Sequence, residues 1–207
     1  MTSYTAKLAS LIASRICHDL ISPVGAISNG LELMTLGGIS RDGPELRLVS
    51  ESCDNASARI RFFRIAFGAA SDNALVSRKE VAAVLQALGK AGRVVYEWVP
   101  GGDLPRREVQ LALLALQCVE NALPRGGVIR VEYHPGQWVI TGLSERVAPD
   151  PAHWGQLEFL ANSANPQAEE PVLDPNHVQF ILLPILARDQ GRTPEMAQGN
   201  GVITLTV

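Results

Sequence analysis

The chain has 207 residues and a formal net charge of −3, from 18 lysines and arginines against 21 aspartates and glutamates. Its basic residues are scattered, so a nucleic-acid-binding surface is not expected. No apolar run approaches the roughly 18 residues of a membrane span. The N-terminus lacks the basic-then-apolar order of a signal peptide. Neither a membrane nor a nucleic acid is therefore an expected partner.

An unbroken helical pattern runs from about Ser3 to Leu36. Its apolar residues recur at steps of three and four, as for one face of a helix. They are Leu8, Leu11 or Ile12, Ile16, Leu20, Val24, Ile27, Leu31 and Met34. Such a helix spans about 50 Å at 1.5 Å per residue, a length that favours a bundle or coiled coil. Pro23 is expected to kink it locally.

A second helix is predicted after the glycines at 37 and 38, with Pro44 at its first helical position. Its apolar residues follow an alternating 3,4 repeat. They are Leu46, Val49, Cys53, Ala56, Ile60, Phe63 and Phe67. The two helices predict a hairpin over residues 1–70. One hairpin cannot bury both stripes, so a homodimeric four-helix bundle is expected.

Small and polar residues at 68–73 predict a linker, after which helices and strands mix. Helices are predicted at 79–91, 105–123, 152–161 and 176–188, and strands at 93–99, 128–133, 138–142 and 201–207. Pro184 is expected to bend the last helix. This order predicts an α+β chain whose residues 77–207 form a two-layer α/β sandwich.

The chain has three cysteines, Cys17, Cys53 and Cys118. Their number is odd, they are far apart, and all lie in predicted helices. They are therefore interpreted as reduced, buried small side chains of a cytoplasmic protein.

His18 is the candidate reactive residue, about halfway along the first helix. Its helical neighbours are Ser14, Arg15, Ile21, Ser22 and Gly25. The core positions Ile16 and Leu20 lie about 200° away around the helix. His18 is therefore predicted to project from the bundle onto a face of small residues, where another protein can approach closely.

The residue types around His18 suit phosphoryl transfer. An imidazole is largely neutral near neutral pH, so one ring nitrogen has a lone pair that can attack phosphorus. Asp19 follows directly and is near enough to influence the ring, and a carboxylate that holds the other N–H fixes the tautomer. Arg15 is expected to reach the same spot and pair with phosphoryl oxygens.

Other chemistries are not favoured. Cys17 and His18 diverge by about 100° around the helix, so they do not form a nucleophilic dyad. His134, His153 and His177 are isolated, without partners at ligand spacing, so no metal site is expected. No Gly-x-x-x-x-Gly-Lys-Ser/Thr loop occurs, and no tightly bound cofactor is expected.

The segment from Arg15 to Ile27, with His18-Asp19 followed by Ser22-Pro23, resembles the phosphoacceptor box of histidine kinases. Downstream, residues 113–127 resemble the ATP-binding N-box of these kinases. Asn121 is kept there, but Gln117 stands at the position of the first asparagine. Thr141 stands where the adenine-reading aspartate belongs. The stretch 173–177 replaces the glycine-rich lid.

A phosphoacceptor box with a degenerate nucleotide half resembles the ChpT-type histidine phosphotransferases of alphaproteobacterial phosphorelays. The resemblance implies a dimer that passes phosphoryl groups between receiver-domain aspartates without useful ATP binding. The donor would be the receiver of a hybrid histidine kinase, and the acceptors receivers of response regulators. Mg²⁺ would come with the receiver.

On this reading the candidate catalytic residues are His18, Asp19, Arg15 and Ser22. The candidate partner-binding residues are Ser14, Ile21, Ser22 and Gly25. Two alternatives remain at this point: an active histidine kinase that takes its phosphoryl group from ATP, and a non-catalytic dimeric scaffold. Missing nucleotide motifs weigh against the kinase, and the His-Asp-x-x-Ser-Pro spacing weighs against the scaffold.

Overall fold

The computed structural model describes residues 3–37, 43–69, 74–163 and 174–207. Two long helices, α1 (Ser3–Gly37) and α2 (Pro44–Ala66), pack along each other as the predicted hairpin. Pro44 opens α2, where its fixed φ suits the first helical position. Helix α1 continues through Pro23. Residues 38–42 between the two helices, and residues 70–73 of the linker predicted at 68–73, lie outside the described residues.

A five-stranded sheet with helices on one side follows the hairpin. The elements in chain order are β1 (Leu75–Val76), α3 (Arg78–Ala91), β2 (Val94–Trp98), β3 (Leu104–Pro105), α4 (Arg106–Asn121), β4 (Gly127–His134), β5 (Gln137–Leu143), α5 (Pro151–Asn162), α6 (Gln179–Asp189), β6 (Glu195–Gly199) and β7 (Val202–Thr206). The sheet order is β2-β4-β5-β7-β6. Strands β2 and β4 run parallel, and the other neighbours are antiparallel. Strands β1 and β3 pair separately.

Side chains alternate across the sheet, as expected when one face is buried. The helix-facing side chains Ile129, Val131, Trp138, Ile140, Ile203 and Leu205 are all fully buried. The intervening residues of β4 and β5, such as Arg130 and Thr141, are less buried. Full burial of a side chain of this size stabilises the fold by about 1.5–3 kcal/mol. The predicted α+β class, with a hairpin followed by a two-layer α/β sandwich, is confirmed.

Two glycines set how closely these layers approach. Gly126 has φ +79°, and a Cβ there would collide with the carbonyl oxygen of Arg93. Only glycine adopts this conformation readily, which lets β4 begin beside β2. A Cβ on Gly142 would lie 2.6 Å from the Cγ1 of Val119, so its absence lets α4 pack directly on β5.

One continuous core joins the hairpin to the sheet. Phe62, Phe63 and Ile65 of α2 are buried in the same cluster as Leu85 and Leu116. Gln110 of α4 reinforces the junction, because its Nε2 donates to the carbonyl of Ala66 at 2.9 Å. The hairpin is therefore fixed relative to the α/β part.

The apolar stripe predicted on the second helix is only partly buried within the single chain. Leu46 and Ile60 are 37% and 53% exposed in the single chain, and Cys53 is exposed. Phe63 of the predicted stripe is buried, and the other buried residues of α2 are Ser52, Ala58, Phe62, Ile65 and Ala66. The prediction of buried cysteines is wrong for Cys17 and Cys53 in the single chain and right for Cys118. The hairpin thus leaves one apolar stripe of α2 on its surface.

Short and fully exposed strands escaped the sequence analysis. Strands β1 and β3 have two residues each, too few to show a period. All five residues of β6 are exposed, so it lacks the alternation that marks a half-buried strand. The helix predicted from residue 176 begins as a 3₁₀ turn at Pro175–His177, and α6 starts at Gln179.

Over the described residues, no helix is both long enough and apolar enough to span a bilayer.

Candidate phosphoacceptor site

His18 projects from α1 as predicted, with 66% of its side chain exposed. Ser14, Ser22 and Gly25 are also exposed, and a Cβ added to Gly25 would meet nothing within 4 Å. Ile21, one turn further along, is 70% exposed. The imidazole is therefore surrounded by an open face with small side chains and one large apolar one.

The carboxylate of Asp19 holds the inner edge of the imidazole. Its Oδ1 lies 3.3 Å from Nδ1 of His18, while only 10% of the Asp19 side chain is exposed. Two cations fix the other oxygen: Oδ2 is 3.1 Å from Arg15 and 3.4 Å from Arg59 of α2. An imidazole whose Nδ1–H donates to a carboxylate keeps its lone pair on Nε2. The free nitrogen is then the outer one.

Arg15 does not lie where the sequence analysis placed it. Its guanidinium donates to the backbone carbonyl of Asn176 at 2.7 Å and pairs with Asp19, and the side chain is only 18% exposed. Position 15 is on the helical face of His18, but the long side chain turns into the junction with the α/β part. Arg15 therefore orients Asp19 and ties α1 to the turn before α6, rather than facing an incoming phosphoryl group.

A polar cavity of about 300 Å³ lies behind this pair, between the hairpin and the α/β part. Arg15, Asp19 and Arg59 line it from the hairpin side. The residues that line it from the α/β part include Gln117, Glu120, Asn121, Asn176 and Gln179. Among these, the Nε of Arg15, the Oε1 atoms of Gln117 and Gln179 and the Oδ1 of Asn176 have no hydrogen-bond partner in the described protein. Polar cavities of this kind hold ordered water in proteins.

Glu120 and Tyr96 form a polar pair in the cavity wall. Burial raises the pKa of Glu120 above its ordinary value, although a hydrogen bond from Tyr96 and the charges of Arg15 and Arg59 act in the opposite direction. Burial also raises the pKa of Tyr96, and the neighbouring Glu120 adds to the effect. The electrostatic surroundings of Asp19 thus include a carboxyl group that resists ionisation.

The structure separates the residues of the degenerate nucleotide motifs. Gln117 and Asn121 line the cavity. Thr141 of β5 pairs with Arg130 of β4 and Thr204 of β7. Its side chain lies on the face of the sheet away from the helices. It is not among the residues that line the cavity. Leu173, the first residue of the stretch that replaces the lid, lies outside the described residues.

Sequence reasoning missed the contribution of α2 and the α/β part to the site. Nothing in the sequence indicated a role for Arg59 in the site, because its partner Asp19 lies on another helix. Glu120 stands three residues after Gln117 in the degenerate N-box, so its position on the same helix face could have been noticed. The interpretation of His153 and His177 as isolated is wrong, since their rings stack with centroids 3.7 Å apart.

An exposed histidine with an oriented Nδ1, on a helical hairpin fused to an α/β sandwich, defines the class of histidine phosphotransferases. The family model "Histidine phosphotransferase C-terminal domain" matches residues 78–200. The chain is 37% identical over 192 residues to the protein phosphotransferase ChpT of Brucella abortus (strain 2308), covering 89% of this chain and 87% of that protein.

One solved structure agrees with the assignment. A bacterial phosphotransferase determined at 1.7 Å is 33% identical, with a TM-score of 0.78 and coverage of 100% of this chain and 97% of the other. The histidine kinase AdeS of Acinetobacter baumannii is a distant match, at 14% identity and a TM-score of 0.43, covering 91% and 95% of the two chains. The chain belongs to the ChpT-type histidine phosphotransferases, and it is a phosphotransferase of phosphorelay signalling.

Proposed function

We propose that His18 carries a phosphoryl group between receiver-domain aspartates. The observation that carries the proposal is the contrast between the two edges of the imidazole. The ring is 66% exposed, whereas its Nδ1 lies 3.3 Å from a carboxylate that is only 10% exposed. The outer nitrogen is free to react, and the inner one is oriented.

In the first transfer, the Nε2 lone pair of neutral His18 attacks the phosphorus of the receiver's aspartyl phosphate. A P–N bond forms as the P–O bond to the aspartate breaks, and the carboxylate leaves with the electron pair. The phosphorylated ring then bears a positive charge, which Asp19 offsets from the Nδ1 side. In the second transfer, another receiver's aspartate attacks phosphorus and the imidazole leaves neutral. Positioning and electrostatics provide most of the catalysis of such transfers.

The docking surface in this proposal consists of Ser14, Ile21, Ser22 and Gly25. All four are exposed around His18. Small side chains allow close approach of a receiver, and Ile21 offers an apolar anchor. The receiver supplies Mg²⁺ in its own acidic pocket. The hydroxyl of Ser22, one turn from the ring, is a candidate donor to the transferred group.

The homodimer also belongs to the proposal. Val24 and Leu31 of α1 are 52% and 50% exposed, and Leu46 and Ile60 of α2 are 37% and 53% exposed. A second hairpin packed on this apolar stripe would bury it in a four-helix bundle. His18 lies about 120° around α1 from Val24, so the bundle would leave it accessible.

We further propose that transfer occurs in the cytoplasm and without nucleotide. Gln117 and Thr141 replace the asparagine and aspartate of the kinase motifs, and Thr141 faces away from the cavity. The aspartate that reads the adenine amino group in the kinases is thus missing from its expected position.

The test is to incubate the purified protein separately with labelled ATP and with a labelled, phosphorylated receiver domain. Label on the protein only with the receiver supports the phosphotransferase. Label from ATP alone would establish a kinase, and label from neither would leave the dimeric scaffold. His18→Gln serves as the blank in each mixture.

A further inference from the structure

Two copies of one short motif, Asp-Pro-x-His, lie in the α/β part. The first is Asp150-Pro-Ala-His153 at the start of α5, and the second is Asp174-Pro-Asn-His177 at the turn before α6. Each aspartate caps its own turn: Asp150 accepts from the backbone N–H of residue 152 at 2.8 Å, and Asp174 from that of residue 176 at 2.9 Å. Both histidines therefore stand three residues inside a helical start, beside their own aspartate.

The fold brings the two motifs together, because α5 packs against α6. The rings of His153 and His177 stack at 3.7 Å with an interplanar angle of 26°. Potential ligand atoms of His153, Asp174 and His177 lie within 4.8 Å of one another. Both histidine side chains are mostly buried, at 15% and 22% exposure. Four residues that are separate in the sequence thus form one partly enclosed cluster.

One buried polar atom of the cluster lacks a hydrogen-bond partner. The buried Nδ1 of His153 has no hydrogen-bond partner, although Oδ1 of Asp150 lies 3.4 Å away. Nδ1 of His177 is 2.6 Å from Oδ2 of Asp174. Buried polar atoms normally have partners, so an unpartnered imidazole nitrogen in a cluster of ligand-type groups requires an explanation. Capping accounts for the aspartates but not for this nitrogen.

We propose that the twin Asp-Pro-x-His motifs bind a transition-metal ion of the zinc class, with His153, His177 and Asp174 as ligands. Two imidazoles and a carboxylate suit Zn²⁺ and leave a fourth position for water or for Asp150. Bond lengths of about 2.0–2.1 Å place ligand atoms of a tetrahedral site roughly 3.3 Å apart. The separations in the cluster, from 2.6 Å to at most 4.8 Å, bracket that value. Metal binding would require the side chains to rotate so that the two imidazole lone pairs converge on the ion.

The site would also bear on the phosphoacceptor helix. His177 directly follows Asn176, whose backbone carbonyl accepts the hydrogen bond from Arg15. A metal bound to Asp174 and His177 fixes both sides of that carbonyl. It would therefore stiffen the anchor of Arg15 and, through Arg15, the position of Asp19. This structural role does not depend on the proposed transfer reaction, because metal binding is measurable without any receiver.

The experiment uses the full chain, freed of metal by chelator and dialysis. ZnCl₂ is titrated by calorimetry, melting is followed with and without zinc, and CoCl₂ is added to look for the visible bands of tetrahedral cobalt. We expect one ion per chain with a micromolar or tighter dissociation constant, a rise in melting temperature of several degrees, and no effect of millimolar MgCl₂.

Three variants define the site. His177→Ala should weaken zinc binding at least tenfold and abolish the cobalt bands. Asp174→Asn keeps the capping oxygen but loses the charge, so it should weaken binding about tenfold while the metal-free melting temperature stays unchanged. His134→Ala, at the exposed end of β4, is the matched control and should bind zinc normally. Absence of binding at about 100 µM zinc, or equal binding by wild type and both ligand variants, would overturn the proposal.

Discussion

The hairpin and the α/β part bury their apolar residues to very different extents. Ten of the sixteen residues of α4 are buried, and they close a core within one chain. In the 35-residue α1, only Leu11, Pro23 and Gly30 are buried among the residues whose side chains are described. Val24, Leu31 and Ile60 remain half exposed. The α/β part buries its apolar residues within a single chain, whereas the hairpin leaves exposed an apolar stripe that the proposed dimer would cover.

His18, the proposed phosphoacceptor, lies on the hairpin. The α/β part contributes one wall of the cavity. The carbonyl of Asn176 accepts a hydrogen bond from Arg15, and the charges of Arg15 and Arg59 act on Glu120 to lower its pKa. Substitutions on the hairpin surface should therefore change transfer or assembly more than folding. Substitutions in the cavity wall should change stability and its dependence on pH.

The largest effect is expected at His18. His18→Gln removes the only nitrogen that can accept the phosphoryl group in the proposed reaction, so acceptance from a receiver should fall to the background. The side chain is 66% exposed, and surface substitutions cost less than about 0.5 kcal/mol. Transfer is measured with labelled receiver, and stability by melting. A variant that still accepts label, or that unfolds, contradicts the assignment of His18.

Ile60→Asp tests whether the exposed stripe of the hairpin is a dimer interface. Ile60 is 53% exposed in the single chain, so the substitution would lower the stability of a monomer only slightly. In the proposed bundle it buries a charge, at a cost of several kcal/mol, and the dimer should dissociate. Light scattering gives the mass. Val95→Asp, at a 60% exposed position of β2, is the control and should leave the mass unchanged. An intact Ile60→Asp dimer would show that this stripe is not the interface.

A smaller effect is expected from Ile21→Glu. The change removes the apolar anchor and sets a negative charge against the receiver's acidic pocket, so transfer from a receiver should slow about tenfold, a loss of roughly 1.4 kcal/mol. Fold and dimer should persist. A small-molecule phosphodonor needs no docking and should label His18 at nearly the normal rate. If that rate falls equally, Ile21 acts on the histidine itself rather than on docking.

Arg59→Ala should slow labelling a few-fold with both receiver and small-molecule donors. Asp19 then retains only Arg15, and the orientation of the imidazole loosens. Arg61→Ala on the same helix is the control, because Arg61 lines a different groove. Arg59→Lys should recover part of the rate. Equal rates for the Arg59 and Arg61 variants would exclude a positioning role for Arg59.

The spacing of apolar residues predicted those helices and strands that bury one face. Where the prediction failed, the cause is physical. In α2, apolar residues occupy two faces, one that packs within the chain and one that does not. A period alone therefore did not show that Phe62 and Ile65 are inside while Ile60 is outside. Strand β6 had no period to read, because both its faces are exposed.

The exposed position of His18 beside Asp19 was predictable because the arrangement is local. His18, Asp19 and the small residues around them lie within a few turns of one helix, where spacing determines the face. Arg15 was misplaced because a carbonyl 161 positions away binds its guanidinium. The stacked pair of His153 and His177 depends on the packing of α5 on α6. Only the repeated Asp-Pro-x-His signalled that the two had anything in common.

The smallest expected effect concerns the cavity wall, where Glu120→Gln should stabilise the protein. Burial raises the pKa of Glu120 in the folded state. Below the ordinary carboxyl range the group is protonated in both states and costs nothing. As pH rises through the raised pKa, the folded state must ionise a buried carboxyl, and stability falls. Glutamine stays neutral and can still accept the hydrogen bond from Tyr96, so it escapes this loss.

We therefore expect Glu120→Gln to gain up to about 1 kcal/mol at pH 8, equivalent to roughly 2–4 °C in melting temperature for a chain of this size. The gain should shrink toward zero as pH falls to 4–5, because the wild-type carboxyl is then protonated as well. Glu97→Gln on the exposed face of β2 is the control, with little change at either pH. A variant that is less stable at pH 8 would mean that Arg15 and Arg59 need the charge of Glu120, and that the hairpin and the α/β part are joined by ion pairing rather than by the shared apolar core.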